Sequence, residues 1–340
     1  MQPQQSFEQS FGPQGQPGPY RSGIEGAWMR HDRTPGREDD DFLVPVDPAI
    51  GPVISASTNR TKSGWYPATK QQRSQRIAAG VLGGLFGLLG GLVAGLMARE
   101  LFVALGLFFL LEYDGAITAL MCAAGTMVGA LLLVAIVWFV RRPQSTFVGK
   151  SGLMRYTRGL LFGPKHEVFR FDDAGELKVQ RIRQFVNGVY TGTTYDYTWR
   201  KPNGQIAFRI NGQYNDAGGL DSHDPVHFAY AAEAAWSSHR IQHFDRMIAQ
   251  QGVARFQCGR DWIGVGRGFL ELGAGGQTKQ IRVEDTKDIH LEQGVLVIKE
   301  KDAKEGIFRS EGVHRFPIAA LTDFQVFLVV LEEQTGVRFR

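Results

Sequence analysis

Residues 77–98 read IAAGVLGGLFGLLGGLVAGLMA and residues 117–140 read ITALMCAAGTMVGALLLVAIVWFV: 22 and 24 positions without one charged side chain. At about 1.5 Å rise per residue, either stretch as a helix is long enough to cross a hydrocarbon layer of about 30 Å. These two stretches predict a transmembrane hairpin. The intervening run Leu101–Leu111 is apolar but too short to span. It either extends the first helix, lies at the interface, or shifts the first span toward Leu111 at the cost of placing Arg99 in the bilayer.

Within the first stretch Ala79, Gly83, Gly87, Gly91 and Gly95 recur every fourth residue, and Gly125 and Gly129 repeat the spacing in the second. Fourfold spacing places these residues along one stripe of a helix. Where lipid supplies no hydrophobic drive, such stripes let backbones approach closely. The stripes predict helix packing within the hairpin or against another copy.

Charge flanks the hydrophobic stretches unevenly. Lys62, Lys70, Arg73 and Arg76 precede the first, and Arg141, Arg142, Lys150, Arg155 and Arg158 follow the second. The connection carries Arg99 with Glu100, Glu112 and Asp114. The positive-inside rule then places both termini in the cytoplasm, in an inner-membrane protein. From Arg141 to Asn211 there are thirteen Lys/Arg against five Asp/Glu, whereas from Gly212 to Arg340 there are fifteen against eighteen. The basic excess follows the second stretch directly, and each cation near an anionic surface is worth about 1 kcal/mol.

Residues 1–70, beginning MQPQQSFEQSFGPQGQPGPY, are rich in Gln, Pro, Gly and Ser and show no apolar period, which predicts a disordered tail. The chain is expected to continue as the hairpin over 71–142, then a β-rich module over 143–251 and a second over 252–340. In the first module Asn187-Gly188 marks a hairpin, and Asp224-Pro225 opens a helix that ends at Gly252. The second repeats the order, with turns at 273–276, 293–294 and 304–306 and a closing helix capped near Thr322-Asp323. Each has about seven short strands followed by one helix, the order of a pleckstrin-homology-like fold. The expected fold class is thus an α+β membrane protein: a two-helix transmembrane hairpin, then two small pleckstrin-homology-like modules.

Three segments carry a resemblance: Phe169-Arg170-Phe171-Asp172-Asp173, the run from Phe185-Val186-Asn187-Gly188 to Tyr195, and Phe316-Pro317-Ile318 through Asp323-Phe324-Gln325-Val326-Phe327-Leu328. They are similar to a family of uncharacterised bacterial membrane proteins, a domain of unknown function with tandem pleckstrin-homology-like modules. Members often have Trp at Phe171 and Asn at Asp323, substitutions that keep an aromatic plug and a helix cap. The resemblance implies a fold and no activity.

Catalytic signals are weak. His239 and His243 sit one helical turn apart, but Arg240 stands where a zincin helix needs Glu, and no third ligand is placed. Gly264-Val265-Gly266-Arg267-Gly268 lacks the full dinucleotide spacing, and 273–279 reads as a turn. No enzymatic activity, cofactor, metal or nucleic-acid partner is expected. Cys122 and Cys258 are too few for a disulfide framework.

The candidate anion-binding set is Arg141, Arg142, Lys150, Arg155, Arg158, Lys178, Arg181 and Arg183. Within it Lys178, Arg181 and Arg183 resemble the lysine–arginine pattern with which some pleckstrin-homology domains hold inositol phosphates, Arg181 and Arg183 sharing one strand face. The expected function is non-enzymatic: presenting the modules at the cytoplasmic membrane face to anionic lipid or a protein partner. A peptide-binding scaffold without a lipid role, or a subunit of a transporter or channel that oligomerises through Gly83, Gly87, Gly91 and Gly95, are the alternatives.

Overall fold

A strand that the sequence hides supplies the first surprise. In the computed structural model, which describes residues 28–105, 114–139, 142–158, 163–305 and 310–338, Val53–Thr58 forms β1. A ribbon of β2 (Arg60–Thr61) and β3 (Gly64–Trp65) follows, and then the helices α1 (Lys70–Ala104) and α2 (Asp114–Phe139). Next come β4 (Gln144–Gly149), β5 (Gly152–Arg158) and β6 (Pro164–Arg170). β1 pairs antiparallel with β4, Ala56 opposite Phe147, in a sheet ordered β1-β4-β5-β6. Two strands separated by both helices in sequence are therefore neighbours in space.

The described part of the segment expected to be a disordered tail is folded from Trp28 onward, and that expectation is corrected there; residues 1–27 lie outside the described residues. A handful of its apolar side chains anchor it: Phe42, Ile50 and Ala56 are buried with Phe147 and Met154, and Trp28 packs edge-on to Phe42 at 5.1 Å. The sparse spacing of these anchors is why no period showed.

His31 pins this segment from inside. Its Nδ1 hydrogen-bonds with Ser55 Oγ at 2.8 Å and its Nε2 with Thr146 Oγ1 at 3.0 Å, and its ring lies 5.2 Å from Phe228. Burial holds its pKa down to about 3. His223, which accepts a hydrogen bond from Arg30, is lowered to about 4 by burial and by that guanidinium. Both imidazoles are neutral when folded and gain a proton near pH 6.5 when unfolded. Their contribution is whole above about pH 6.5 and declines as pH falls toward 4 and 3, by up to about 1.4 kcal/mol per group per pH unit. Urea midpoints measured between about pH 7.5 and 5 should fall with acid, and His31→Gln should flatten the dependence.

The β-rich remainder is a chain of meanders. β7 (Glu176–Val186), β8 (Val189–Arg200) and β9 (Ile206–Tyr214) form one antiparallel sheet, followed by α3 (Val226–Gln251). Asn187 and Gly188 adopt φ of 51° and 79°, the left-handed pair of a two-residue hairpin turn. Gly252, at φ 76°, ends α3 with its N–H on the Ile248 carbonyl. β10 (Val253–Cys258), β11 (Asp261–Gly266), β12 (Phe269–Ala274) and β13 (Gln277–Arg282) make a four-stranded sheet. β14 (Thr286–Glu292), β15 (Val295–Glu305) and β16 (Ser310–Pro317) make a three-stranded one, and α4 (Phe324–Thr335) closes the order.

The expected fold class is corrected by these elements. Strand is the commonest state among the described residues, in five sheets, with four α-helices. Among them one helix alone, over Gln72–Ala94, is long and apolar enough to cross a membrane. A two-helix transmembrane hairpin followed by two small pleckstrin-homology-like modules is therefore not the architecture. Two features explain the misreading. The first β-rich region takes a strand from the N-terminal segment, and α3 serves two cores at once. Phe228 and Trp236 pack with Tyr197, Trp199 and Phe208, whereas Phe244 and Ile248 pack with Phe256, Phe327 and Leu331. A boundary after residue 251 therefore assigns to the first module alone a helix that also packs in the second core.

Of the described residues, one compact unit comprises 28–64, 145–156 and 166–338, and the other 65–144 and 157–165. Within the second, α1 begins earlier and ends later than 77–98, continuing to Ala104, while α2 covers most of 117–140. The helices meet at the glycines. A Cβ built on Gly87 would overlap the Gly125 carbonyl oxygen, and one on Gly129 would lie 2.5 Å from the Gly83 carbonyl oxygen. Gly125 also faces Gly91, at 3.0 Å from Cα, so the pairing is antiparallel. Gly95 also lies within α1.

Candidate functional site

The basic candidates stand on different elements and the fold treats them differently. Arg181 projects from β7 toward α3. Its guanidinium pairs with Glu233, its Nε donates to Tyr197 Oη at 2.7 Å, and it lies 4.9 Å from the Tyr230 ring centre. Burial opposes the Arg181 charge, but Glu233 and Tyr197 outweigh it and raise its pKa. Glu233 is itself buried, which raises its pKa against the pull of Arg181. A guanidinium already matched by a buried carboxylate is not free to chelate phosphate, so the paired fork of Arg181 and Arg183 is corrected. The partner sits 52 residues away on a helix, beyond the reach of strand periodicity.

Arg155 is likewise spent internally. Its Nε donates to Glu167 at 2.6 Å on the neighbouring strand, and the guanidinium covers the Phe208 ring at 5.0 Å. Arg183 remains exposed on β7, 5.9 Å from the Tyr190 ring centre. Lys178 is half-buried on β7, Lys150 is exposed between β4 and β5, and Arg158 is exposed at the end of β5. Arg142 is exposed after α2, and Arg141 lies outside the described residues. What survives is a set of separate exposed cations, Lys150, Arg158 and Arg183 with part of Lys178, and not a phosphate pocket.

The histidine pair on α3 is also accounted for. His239 lies 3.5 Å from Asp172 and against the rings of Phe171 and Trp236, while His243 packs on Phe244. Burial lowers both pKa values. Among the described residues no three His, Cys, Asp or Glu side chains are grouped as metal ligands.

A cavity of about 260 Å³ opens between Glu176, Arg240, Phe244, Arg255 and Trp262. Its cations are matched within the protein: Arg240 by Asp323 at 3.4 Å, and Arg255 by Glu271 at 3.1 Å, with Arg255 4.6 Å from the Trp262 ring centre. Asp323, expected to cap α4, does not do so with its side chain. Instead the carboxylate accepts from the Leu177 N–H at 3.0 Å and from Trp236 Nε1 at 2.6 Å. It fastens the start of α4 to β7 and α3, a structural role. No known family model matches the chain, and no curated protein matches it.

The structure adds to the apolar stretch read from the sequence the direction in which its side chains face. Ile77, Phe86 and Met97 on α1 are each 69% exposed, and only 11% of the Gln72–Ala94 span is buried. A helix at the core of a water-soluble protein would be largely covered. This one presents its aliphatic side chains outward and turns Gly83, Gly87 and Gly91 toward α2, the reverse of what water selects.

Proposed function

We propose that the chain is a non-enzymatic, membrane-anchored protein that holds its β-rich unit against the anionic cytoplasmic face of the membrane, where it binds lipid headgroups and receives a protein partner. The outward apolar surface of α1 carries this reading, because burying such side chains in lipid is worth about 1.5–3 kcal/mol each. The pairing of β1 with β4 supports a single compartment for the two flanks of the helical unit. Lys70, Arg73 and Arg76 before the apolar stretch and Arg142 after α2 support the cytoplasmic side. Lys150, Arg158, Lys178 and Arg183 supply the attraction to headgroups, a long-range and salt-screened effect that requires no pocket.

The full-length protein in nanodiscs tests this directly. Amide exchange over 144–158 and 178–183 should slow in phosphatidylglycerol-rich discs relative to phosphatidylcholine discs, and the difference should vanish in high salt. Equal exchange in the two lipids at low salt would remove the headgroup-binding role. Extraction of the protein from membranes by alkaline carbonate would remove the anchor.

A further inference from the structure

The β7–β8 hairpin is longer than the sheet that holds it. β9 pairs with β8 only as far as Thr193, opposite Tyr214, whereas β7 and β8 continue together to Val186 opposite Val189. The last part of the hairpin is thus a two-stranded ribbon projecting past its third strand. Polar side chains are the rule on such a ribbon, since neither face has a sheet or helix to cover it. Here Phe185 and Val186 are each 59% exposed and Val189 67%, with Ile182 at 59% further down β7. The Phe185 and Tyr190 rings meet at a tilt, 5.7 Å apart, and so form one apolar side of the tip.

Immediately behind the tip the chemistry changes. Tyr190 turns its hydroxyl to Asp216 at 2.6 Å and to Thr193 at 2.8 Å, and the Arg183 guanidinium lies 5.9 Å from the Tyr190 ring centre. Where the third strand ends, Gln213 of β9 donates to the Gln184 side chain at 3.1 Å. An aliphatic and phenyl point, then a tyrosine and an arginine, then amides, is the order of polarity met on passing from acyl chains through the headgroup region to water.

We infer that the tip formed by Phe185, Val186 and Val189 is a wedge that enters the acyl-chain border of an anionic bilayer, with Arg183 at the phosphates. The inference rests on the membrane-anchored reading above. It favours a bilayer over a protein groove for three reasons. A few side chains on a narrow ribbon offer less than the roughly 800 Å² per partner of a stable protein interface. Arg183 gives the tip's rim the charge that anionic headgroups complement. The anchoring helix in the same chain keeps a membrane at high effective concentration, so a small apolar tip suffices.

The test uses the full-length protein in phosphatidylglycerol-rich nanodiscs, with Cys122→Ser and Cys258→Ala, and a nitrobenzoxadiazole probe on Val186→Cys. A second protein carries the probe on Asn203→Cys, in the exposed turn at the opposite end of β8. The wedge requires blue-shifted emission at 186, iodide quenching several-fold weaker than at 203, and quenching by nitroxide lipids labelled on the acyl chain. Equal iodide quenching at the two positions overturns it. If exchange over 144–158 still slows in the anionic lipid while the probe at 186 stays aqueous, the headgroup-binding reading stands and the wedge alone falls. If neither changes, both fall. A blue shift that appears in detergent without lipid and grows with protein concentration assigns the tip to self-association and rejects the wedge.

Discussion

Replacing Asp323 with alanine should cost at least about 3 kcal/mol, because two buried donors lose their acceptor at about 1–3 kcal/mol each and a left-handed alanine adds about 1–2 kcal/mol. The carboxylate is 4% exposed and receives the Leu177 N–H, the Trp236 indole N–H and, more loosely, the Arg240 guanidinium. Alanine leaves all three donors without it, and the Arg240 side chain is only 13% exposed, so water cannot substitute freely. The backbone adds to the loss: Asp323 sits at φ 51° and ψ 38°, a left-handed conformation that Asp and Asn tolerate and Ala does not. Asparagine should behave otherwise. Burial raises the Asp323 pKa despite Arg240 and the hydrogen bonds, so the fold disfavours the charge that Asn removes. Asp323→Asn keeps an acceptor for Leu177 and Trp236 and should cost about 1 kcal/mol, the usual net worth of a hydrogen bond. Denaturation of the full-length variants in micelles measures both, and equal losses would show that the charge itself is what holds α4 in place.

The second large effect is expected at Gly87. Gly87→Leu puts a branched side chain where even a Cβ would overlap the Gly125 carbonyl oxygen, and the helices have to separate. Gly90→Leu, three residues on, meets nothing within 4 Å and should leave the pair intact. With Cys122→Ser and Cys258→Ala, cysteines placed at Gly84 and Thr126 report the separation, since a Cβ at Gly84 lies 3.7 Å from the Thr126 methyl. Disulfide formation should fall at least about tenfold with Gly87→Leu, equivalent to about 1.4 kcal/mol, and be unaffected by Gly90→Leu. Equal rates in the two variants would show that the glycine stripe is incidental to the pairing.

Local features were legible in the sequence where local chemistry decides them. Asn187-Gly188 names its own turn, Gly252 its own helix end, and Gly83, Gly87, Gly125 and Gly129 their own contact. What could not be read depends on distant partners. Glu233 cancels Arg181 across 52 residues, and Asp323 meets Leu177 across 146. The folding of the N-terminal segment rests on a handful of anchors such as Phe42 and Ile50 and on the hydrogen bonds of His31, with no period to betray them. The likeness to tandem small modules came from counting strands and helices in order. That count cannot show that α3 is shared between cores or that β1 is borrowed from upstream.

That borrowed strand has a consequence for synthesis. β1 leaves the ribosome well before β4, its partner across the sheet, with the short β2–β3 ribbon and the helices α1 and α2 between them in the chain. At about 5–20 residues per second the strand waits several seconds or more with its hydrogen-bonding edge unmatched. Ala56 and Ile50 stay uncovered for the same interval, until Phe147 and Met154 arrive. The sheet therefore closes only after α1 and α2 have been made. An intact β1–β4 pair is thus a record that synthesis has passed both helices, and a chain stalled among them would expose an open edge that quality-control proteases can seize.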